Sequence, residues 1–546
     1  MPGLTTPSVE FRQRNVTSGK RVEGGSQGIG ESHQFTLFSV SASPIFPRIR
    51  PPAFQVATCS PPPILVPSHW GDMTDFFYEP LSYLDSSFLA LESRTSHMHV
   101  AGVALFDASP LKADDGGIDI KRIRAHIESK LQYIPRYRQR LEWVPYDRRP
   151  VWIDDSHFTF DYHVRHTSLP RPGTDQQLKQ LAGRIVSTKL DRNKPLWELW
   201  VVEGVSEDRF AIIAKIHHCM IDGISGVDLT TILMNVIPDT TLEEIPEWQP
   251  RPAPTSSQLA VAEAARFTRR MIDSLGNLGE RVKSGKTITD RTIDKSIAAL
   301  TSLRSGWLTP TDRTPLNPDI GPNRRFDWTA LELDDVKAVK NSLGGSVNDV
   351  VLAITAGAVR RFLINDRGYD TDESEFRIMN PVSTRGADQR GKLGNQVAMW
   401  LVELPIDEPD PAARYQSIKE RTAHLKETDQ ALGAATIVEV SSGTPITLLS
   451  LANRVVGSKI RPFNMTVTNI PGPQFPMYLL GAQMQANYPM VPLWAQHGVG
   501  IALFSYDGRL LWGLQADYDA LPDTAEFLKA IHASFKELQD LVVARE

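Results

Sequence analysis

The sequence predicts a mixed α/β protein in two lobes, and three features predict it. Short segments of period-two apolar alternation are followed by segments of helical spacing. That strand-then-helix rhythm occurs on both sides of a proline-rich stretch near mid-chain. Near the C-terminus, Tyr506-Asp507-Gly508-Arg509 separates two apolar runs, the signature of a tight hairpin.

Along the chain, residues 1–72 stand apart. Ten prolines fall there with few periodic apolar residues, so the segment reads as a disordered extension, or as lying upstream of a true start near Met73. It lacks the basic start and apolar core of a secretory signal. Gly24-Gly25-Ser26-Gln27-Gly28-Ile29-Gly30 fits both Gly-x-Ser-x-Gly and a glycine-rich dinucleotide loop, but without the preceding strand and following helix that either needs.

The first lobe, residues 73–244, opens with a helix around Asp85–Glu92, a strand from His99 to Phe106 and a helix around Ile118–Ile134. Phe210, Ile212, Ala214 and Ile216 then alternate with Ala211, Ile213 and Lys215, which predicts a strand. Behind it, Ser225 and Asp228 form a Ser-x-x-Asp cap ahead of Leu229, Ile232, Leu233 and Val236 at helical spacing. Residues 245–323 read as a linker. Ile245–Pro254 is too proline-rich for a regular element, Gln258–Val282 is an amphipathic helix with several arginines, and Thr309–Asn323 is polar and proline-rich. In the second lobe, residues 324–546, Val350, Val351, Ile354, Val359, Phe362 and Leu363 suit a buried helix. Val499–Ser505 and Leu510–Ala516 form the hairpin, and Thr524–Val542 the last helix.

Composition narrows the function. A chain of 546 residues with 41% hydrophobic content suits a globular protein, and a net charge of -5 gives no reason to expect nucleic acid. Only Cys59 and Cys219 are present, which argues against a disulfide framework and for a reducing cytoplasm. No window approaches the roughly 20 apolar residues of a spanning helix.

The strand-to-helix handover carries His217-His218-Cys219-Met220-Ile221-Asp222-Gly223. In a regular strand neighbours face opposite ways, so His218 shares the more apolar face, where a neutral imidazole suits a general base. His217 is expected to orient or pack. Opposite-facing histidines do not converge on one ion, and no second ligand set at zinc spacing accompanies them, so no metal is expected. Cys219 reads as a small packed hydrophobe, and Gly223 as a backbone geometry other residues resist. His97 and His99 share a strand face, where they either line substrate or pack.

The His-His-x-x-x-Asp-Gly pattern resembles the superfamily of chloramphenicol acetyltransferase and the condensation domains of peptide synthetases. Further blocks narrow the resemblance to bacterial wax ester synthase/acyl-CoA:diacylglycerol acyltransferases. They are Pro80-Leu81-Ser82 through Phe88-Leu89, His97-Met98-His99-Val100, Tyr162-His163-Val164-Arg165, Pro195-Leu196-Trp197, Ser346-Val347-Asn348-Asp349 through Ala353, Gly394-Asn395 and Thr468-Asn469-Ile470-Pro471-Gly472-Pro473.

The resemblance runs from about Met73 to the C-terminus and implies two chloramphenicol-acetyltransferase-like lobes with an active-site channel between them. It implies acyl transfer from acyl-CoA to diacylglycerol with His218 as base, or to a long-chain alcohol. A condensation-type transferase and a non-catalytic lipid binder are more distant readings. Asp222 is implied to hold the motif loop, with Arg385 one candidate partner. Pro195 and Trp197 would wall the channel, and Asn348, Asp349 and Asn395 would shape it, a helix cap and a turn being the alternatives. Acyl-CoA is a co-substrate, so no cofactor is implied. The expected setting is cytoplasmic, peripheral to a membrane or lipid droplet, with Arg266, Arg269 and Arg270 as one possible contact.

Overall fold

The computed structural model describes residues 76–146, 148–220, 232–283, 309–383, 397–432 and 461–545. The readings made for residues 1–72, Asp222, Gly223, the Ser225 cap, Arg385 and Gly394-Asn395 lie outside the described residues.

The first part of the chain supplies β1 (Glu79–Pro80), α1 (Tyr83–Leu91), β2 (His99–Asp107), α2 (Ile120–Lys130), β3 (Gln139–Trp143) and β4 (Pro150–Asp154). There follow α3 (Phe160–His163), β5 (Val164–Ser168), α4 (Asp175–Ser187), β6 (Trp197–Val205), β7 (Arg209–His217) and the long α5 (Ser256–Lys283). Next come β8 (Arg324–Glu332), α6 (Leu333–Leu343), α7 (Val347–Arg367), β9 (Phe376–Ser383), β10 (Val397–Leu404) and α8 (Pro411–Leu432). The chain closes with β11 (Met465–Pro471), β12 (Tyr478–Leu479), β13 (Ala482–Met490), β14 (Val499–Tyr506), β15 (Arg509–Asp517) and α9 (Thr524–Val543).

These strands form a small sheet ordered β1-β4-β3 and two six-stranded sheets, β12-β13-β2-β7-β6-β5 and β10-β9-β11-β14-β15-β8. The fold is mixed α/β. Local chemistry explains its edges. Asp507 and Gly508 both have positive φ, 44° and 78°, which gives the β14–β15 hairpin its two-residue turn. Ser346 and Asp349 make a reciprocal cap at the start of α7, and Gly368 ends it in the left-handed region with φ 59°. Helix α2 stops at Lys130, earlier than the expected Ile134. Pro135 disfavours helical backbone at the residue before it, and two short 3-10 turns fill the gap to Arg138.

The proline-rich stretches lack regular structure but are tied down. Arg251 grips the buried Asp154 carboxylate with two hydrogen bonds, Nε–Oδ2 2.9 Å and Nη2–Oδ1 2.8 Å. Asn317, buried, donates to the Asn464 and Gln496 carbonyls.

Sheet membership departs from chain order. β13 pairs with β2, from Met484↔Phe106 to Met490↔Ala101, so a late segment completes the sheet that carries the histidine pair. In the other direction α4 packs against β8 of the second sheet. There Ser187 Oγ accepts from the Arg324 amide at 2.8 Å, and Lys179 lies 2.5 Å from Asp327. Between β13 and β15 the backbones nearly touch. A Cβ on Gly513 would lie 1.8 Å from the Pro489 carbonyl oxygen, while Tyr488 stacks on Trp328 at 4.9 Å.

A side chain at Gly513 must therefore push one sheet off the other. Gly513→Ala is expected to cost about 3 kcal/mol, a large overpacking penalty. Urea denaturation of the variant beside the parent measures it, and equal midpoints would mean that the approach is looser than described.

Candidate active site

The pair of histidines sits where β7 stops. His217 is its last residue, opposite His99 of β2, and its amide donates to the Leu196 carbonyl at 2.9 Å. His218 opens a 3-10 turn, His218–Met220, and its amide donates to the Met98 carbonyl at 2.8 Å. Helix α1 lies over this turn. Ser82 starts α1 by accepting from the Asp85 amide at 3.1 Å, and one face of the helix brings the Phe88 ring onto the His218 imidazole. The two rings are stacked, 3.9 Å between centroids and 22° between planes.

The expectation that opposite faces of one regular strand separate the two histidines, with His218 on the more apolar face, does not describe the geometry. The strand does not stay regular through His218. The ladder ends and the turn redirects the chain. His217 points into the interior, 1% exposed, whereas His218 is only partly buried.

His217 is committed at Nδ1 and faces a carboxylate from Nε2. Nδ1 accepts the Cys219 amide at 3.2 Å, which leaves the ring proton on Nε2, 3.6 Å from Glu92 Oε2. Burial holds the His217 pKa below its ordinary value, against the pull of Glu92. Glu92 is itself enclosed. Arg192 reaches it through Nε at 3.0 Å and again through Nη2, and Lys189 lies 3.4 Å away. Burial alone would raise the Glu92 pKa, but His217 and the Arg192 guanidinium outweigh it and hold the carboxyl well below the usual carboxylate range.

Cys219 is buried, and burial pushes its thiol well above the ordinary value, which disfavours the thiolate that a nucleophile needs. His97 and His99 pack in the interior beside His217, with ring centroids 5.6 Å apart and 5.9 Å from His99 to His217. Pro195 and Trp197 are buried as well. Trp197 stacks on His163 at 4.6 Å and donates Nε1–H to the Tyr137 carbonyl, so it fills the first core. Asn348 and Asp349 start α7. Asp349 caps the helix and accepts from Thr422 at 2.7 Å, while Asn348 Oδ1 accepts from Asn380 at 3.3 Å. Among the described residues, no group of three or more His, Cys, Asp or Glu side chains is arranged to hold a metal ion.

Sequence reasoning missed Glu92, Arg192 and Lys189. One signal was present: Glu92 follows the last turn of α1 with no basic residue in that turn, where a helix end disfavours negative charge. A carboxylate there needs a partner from elsewhere.

Comparison with known proteins gives a consistent set of likenesses. Residues 81–351 match the wax ester synthase/diacylglycerol acyltransferase catalytic domain, and residues 393–539 match the C-terminal domain of the same family. A Mycobacterium tuberculosis H37Rv protein named for diacylglycerol O-acyltransferase activity is 30% identical over 471 residues, covering 84% of this chain and 90% of its own. A second from that strain, tgs1, is 29% identical over 465 residues, with 84% and 95% covered. In fold, the chain is similar to the wax ester synthase/diacylglycerol acyltransferase of Marinobacter aquaeolei VT8, with TM-score 0.62, 24% identity, and 85% and 99% of the two chains covered. The first condensation domain of the calcium-dependent antibiotic synthetase aligns with TM-score 0.51 and 14% identity over 85% and 96%.

Two outcomes follow from the charges. Arg192→Ala leaves the Glu92 carboxylate, 3% exposed, short of its main partner and is expected to cost about 3 kcal/mol. Glu92→Gln leaves only cations that reach solvent, so chemical denaturation should rank it the milder change. The second concerns pH. Burial lowers the pKa of His97, His99, His126, His163, His217 and His497, with His163 and His497 held at about 4. Below the ordinary value of 6.5 the unfolded chain takes up protons that the folded chain refuses. Stability should therefore fall as pH drops from 7 towards 4, each histidine adding up to about 1.4 kcal/mol per pH unit. A flat urea midpoint between pH 7 and 5 would contradict it.

Proposed function

The chain belongs to the wax ester synthase/diacylglycerol acyltransferase family, and we propose that it makes triacylglycerol from acyl-CoA and diacylglycerol with His218 as the general base. In this reaction the imidazole takes the proton of the acceptor hydroxyl as its oxygen attacks the thioester carbonyl. The carbon–sulfur bond then breaks, and the proton passes to the departing thiolate of coenzyme A. The thioester is already activated, so the transfer requires neither a covalent acyl-enzyme nor a metal.

One observation carries the assignment of the base. His217 is buried, with Nδ1 taken by the Cys219 amide and Nε2 facing the enclosed Glu92, whereas His218 is only partly buried, fixed through its own amide and stacked on the Phe88 ring. Asp222 and Gly223 are assigned to support of the turn, and Asn348, Asp349 and Asn395 to the channel. A long-chain alcohol is the second acceptor, because the matched catalytic domain is named for wax ester synthesis as well.

The chain would meet these lipids at a surface. No helix among the described residues is long and apolar enough to cross a membrane. The basic helix α5 exposes Val261, Phe267, Met271 and Ile272 alongside Arg266 and Arg269, a composition that suits peripheral contact with a cytoplasmic membrane face or lipid droplet.

Purified protein incubated with labelled palmitoyl-CoA and either dioleoylglycerol or hexadecanol tests the reaction and ranks the acceptors. His218→Ala is expected to lower transfer by about 100- to 10,000-fold with the fold retained by circular dichroism. His217→Ala should lose more stability but retain more turnover per folded molecule. Equal loss of turnover in both folded variants would remove the assignment to His218.

A further inference from the structure

A polar cavity lies away from the histidine pair, among the helices of the second core. Gly357, Arg360, Arg361 and Ile364 follow one another at helical spacing on one face of α7 and line it with Arg414 of α8 and Glu537 of α9. Its volume is about 200 Å³, below the roughly 300–1,000 Å³ of pockets that enclose whole small molecules. That space suits a single charged group with its water.

The lining is unbalanced in charge, three guanidinium groups to one carboxylate. Glu537 bridges two of them: its Oε1 pairs with Arg361, and its Oε2 accepts from Arg414 Nη2 at 2.9 Å. Arg360 uses one nitrogen, Nη1, to hold the Thr371 hydroxyl at 2.7 Å and the Ile406 carbonyl at 2.7 Å. Burial lowers the Arg414 pKa, Glu537 pulls it back up, and repulsion from Arg360 and Arg361 adds to the lowering. Arg360 Nη1 also donates to the Asp407 carbonyl at 3.0 Å and Arg414 Nη1 to the Glu408 carbonyl at 2.9 Å, so structural needs account for much of this cluster but not all of it. Arg361 Nε is buried without a hydrogen-bond partner, and so is the hydroxyl of Ser534, which lies beside Gly357. Gly357 keeps the helix-to-helix approach open: a Cβ there would come within 2.1 Å of Ser534 Oγ and 3.0 Å of Arg414 Nη2.

We propose that this pocket is a phosphate-binding site, taking inorganic phosphate or the terminal phosphate of a larger soluble molecule. A tetrahedral dianion offers acceptors in several directions, which suits planar guanidinium forks arriving from α7 and α8. Glu537 is the internal anion that holds the arginines when no phosphate is bound, and it competes with phosphate for them. The site does not depend on the acyl-transfer reading, and its occupancy would link the packing of α7, α8 and α9 to the supply of phosphate.

The test is a thermal-midpoint titration of the full chain with inorganic phosphate, at an ionic strength held constant with chloride. The parent should show a saturable rise, as for any ligand that binds the folded state alone. Arg361→Gln should weaken the apparent affinity by roughly tenfold, and Glu537→Gln, which removes the competing charge, should strengthen it by roughly tenfold even if its starting midpoint is lower. A repeat with adenosine 3′,5′-bisphosphate separates the sources. Tighter binding of the nucleotide that Arg361→Gln cancels assigns the pocket to the phosphate of a larger molecule, and equal affinities assign it to free phosphate. No saturable rise in the parent, or the same rise in parent and both variants, overturns the proposal.

Discussion

A carboxylate removed from water has to be paired, and Glu92 is the carboxylate on which the histidine site is built. The penalty for burying one ion is several kcal/mol, and it is met only by close cations and hydrogen bonds. Glu92 follows α1, yet its partners come from elsewhere: Lys189 and Arg192 from the segment after α4, and His217 from the end of β7. Satisfying that charge draws three separate stretches of chain together. It sets α1 across the turn at His218, and α1 brings Phe88 with it. The position of His218 is thus a consequence of a charge it does not carry.

The two six-stranded sheets are tied in both directions. Residues 175–187 come early in the chain and pack on β8 of the second sheet, while residues 482–490 come late and pair with β2 of the first. Where β13 and β15 pass, Gly513 leaves room for the Pro489 carbonyl, and stacking of Tyr488 on Trp328 covers the junction. Neither sheet closes its core with its own stretch of chain. β13 thereby links the junction directly to β2, the strand that pairs with β7 and carries His99 opposite His217.

What the sequence made legible was local. Alternation at residues 210–216 marked β7, helical spacing from Val350 to Leu363 marked α7, and Asp507-Gly508 marked the hairpin, because each signal lies within a few residues of what it specifies. Helix α2 ends at Lys130, short of the expected Ile134, because apolar spacing continues past the point where backbone sterics before Pro135 disfavour the helix. The entry of residues 482–490 into the first sheet had no local mark at all. Trp197 shows the same limit at the site. Alone, the tryptophan of Pro195-Leu196-Trp197 reads as a packed aromatic and only the resemblance makes it a channel wall; its stacking on His163 and its hydrogen bond to the Tyr137 carbonyl come from residues 34 and 60 positions away. Glu92 was hidden for a related reason: its partners are about a hundred residues away.

Two adjacent histidines can serve different ends because a single amide separates them. The Cys219 N–H points at His217 Nδ1, which fixes that tautomer and turns the remaining ring proton towards Glu92. For His217 to accept a further proton it would have to give up the Cys219 contact inside the protein, where a lost hydrogen bond is not replaced by water. The turn that delivers this amide is the same turn that takes His218 off the strand. Phe88 then covers one face of the His218 ring, and an imidazolium held against an apolar ring loses hydration on that side. In the proposed reaction such a cation is short-lived by construction, since the departing thiolate collects its proton within the same turnover. A wall that would be costly beside a permanent charge suits a base that carries its proton only between hydroxyl and thiolate.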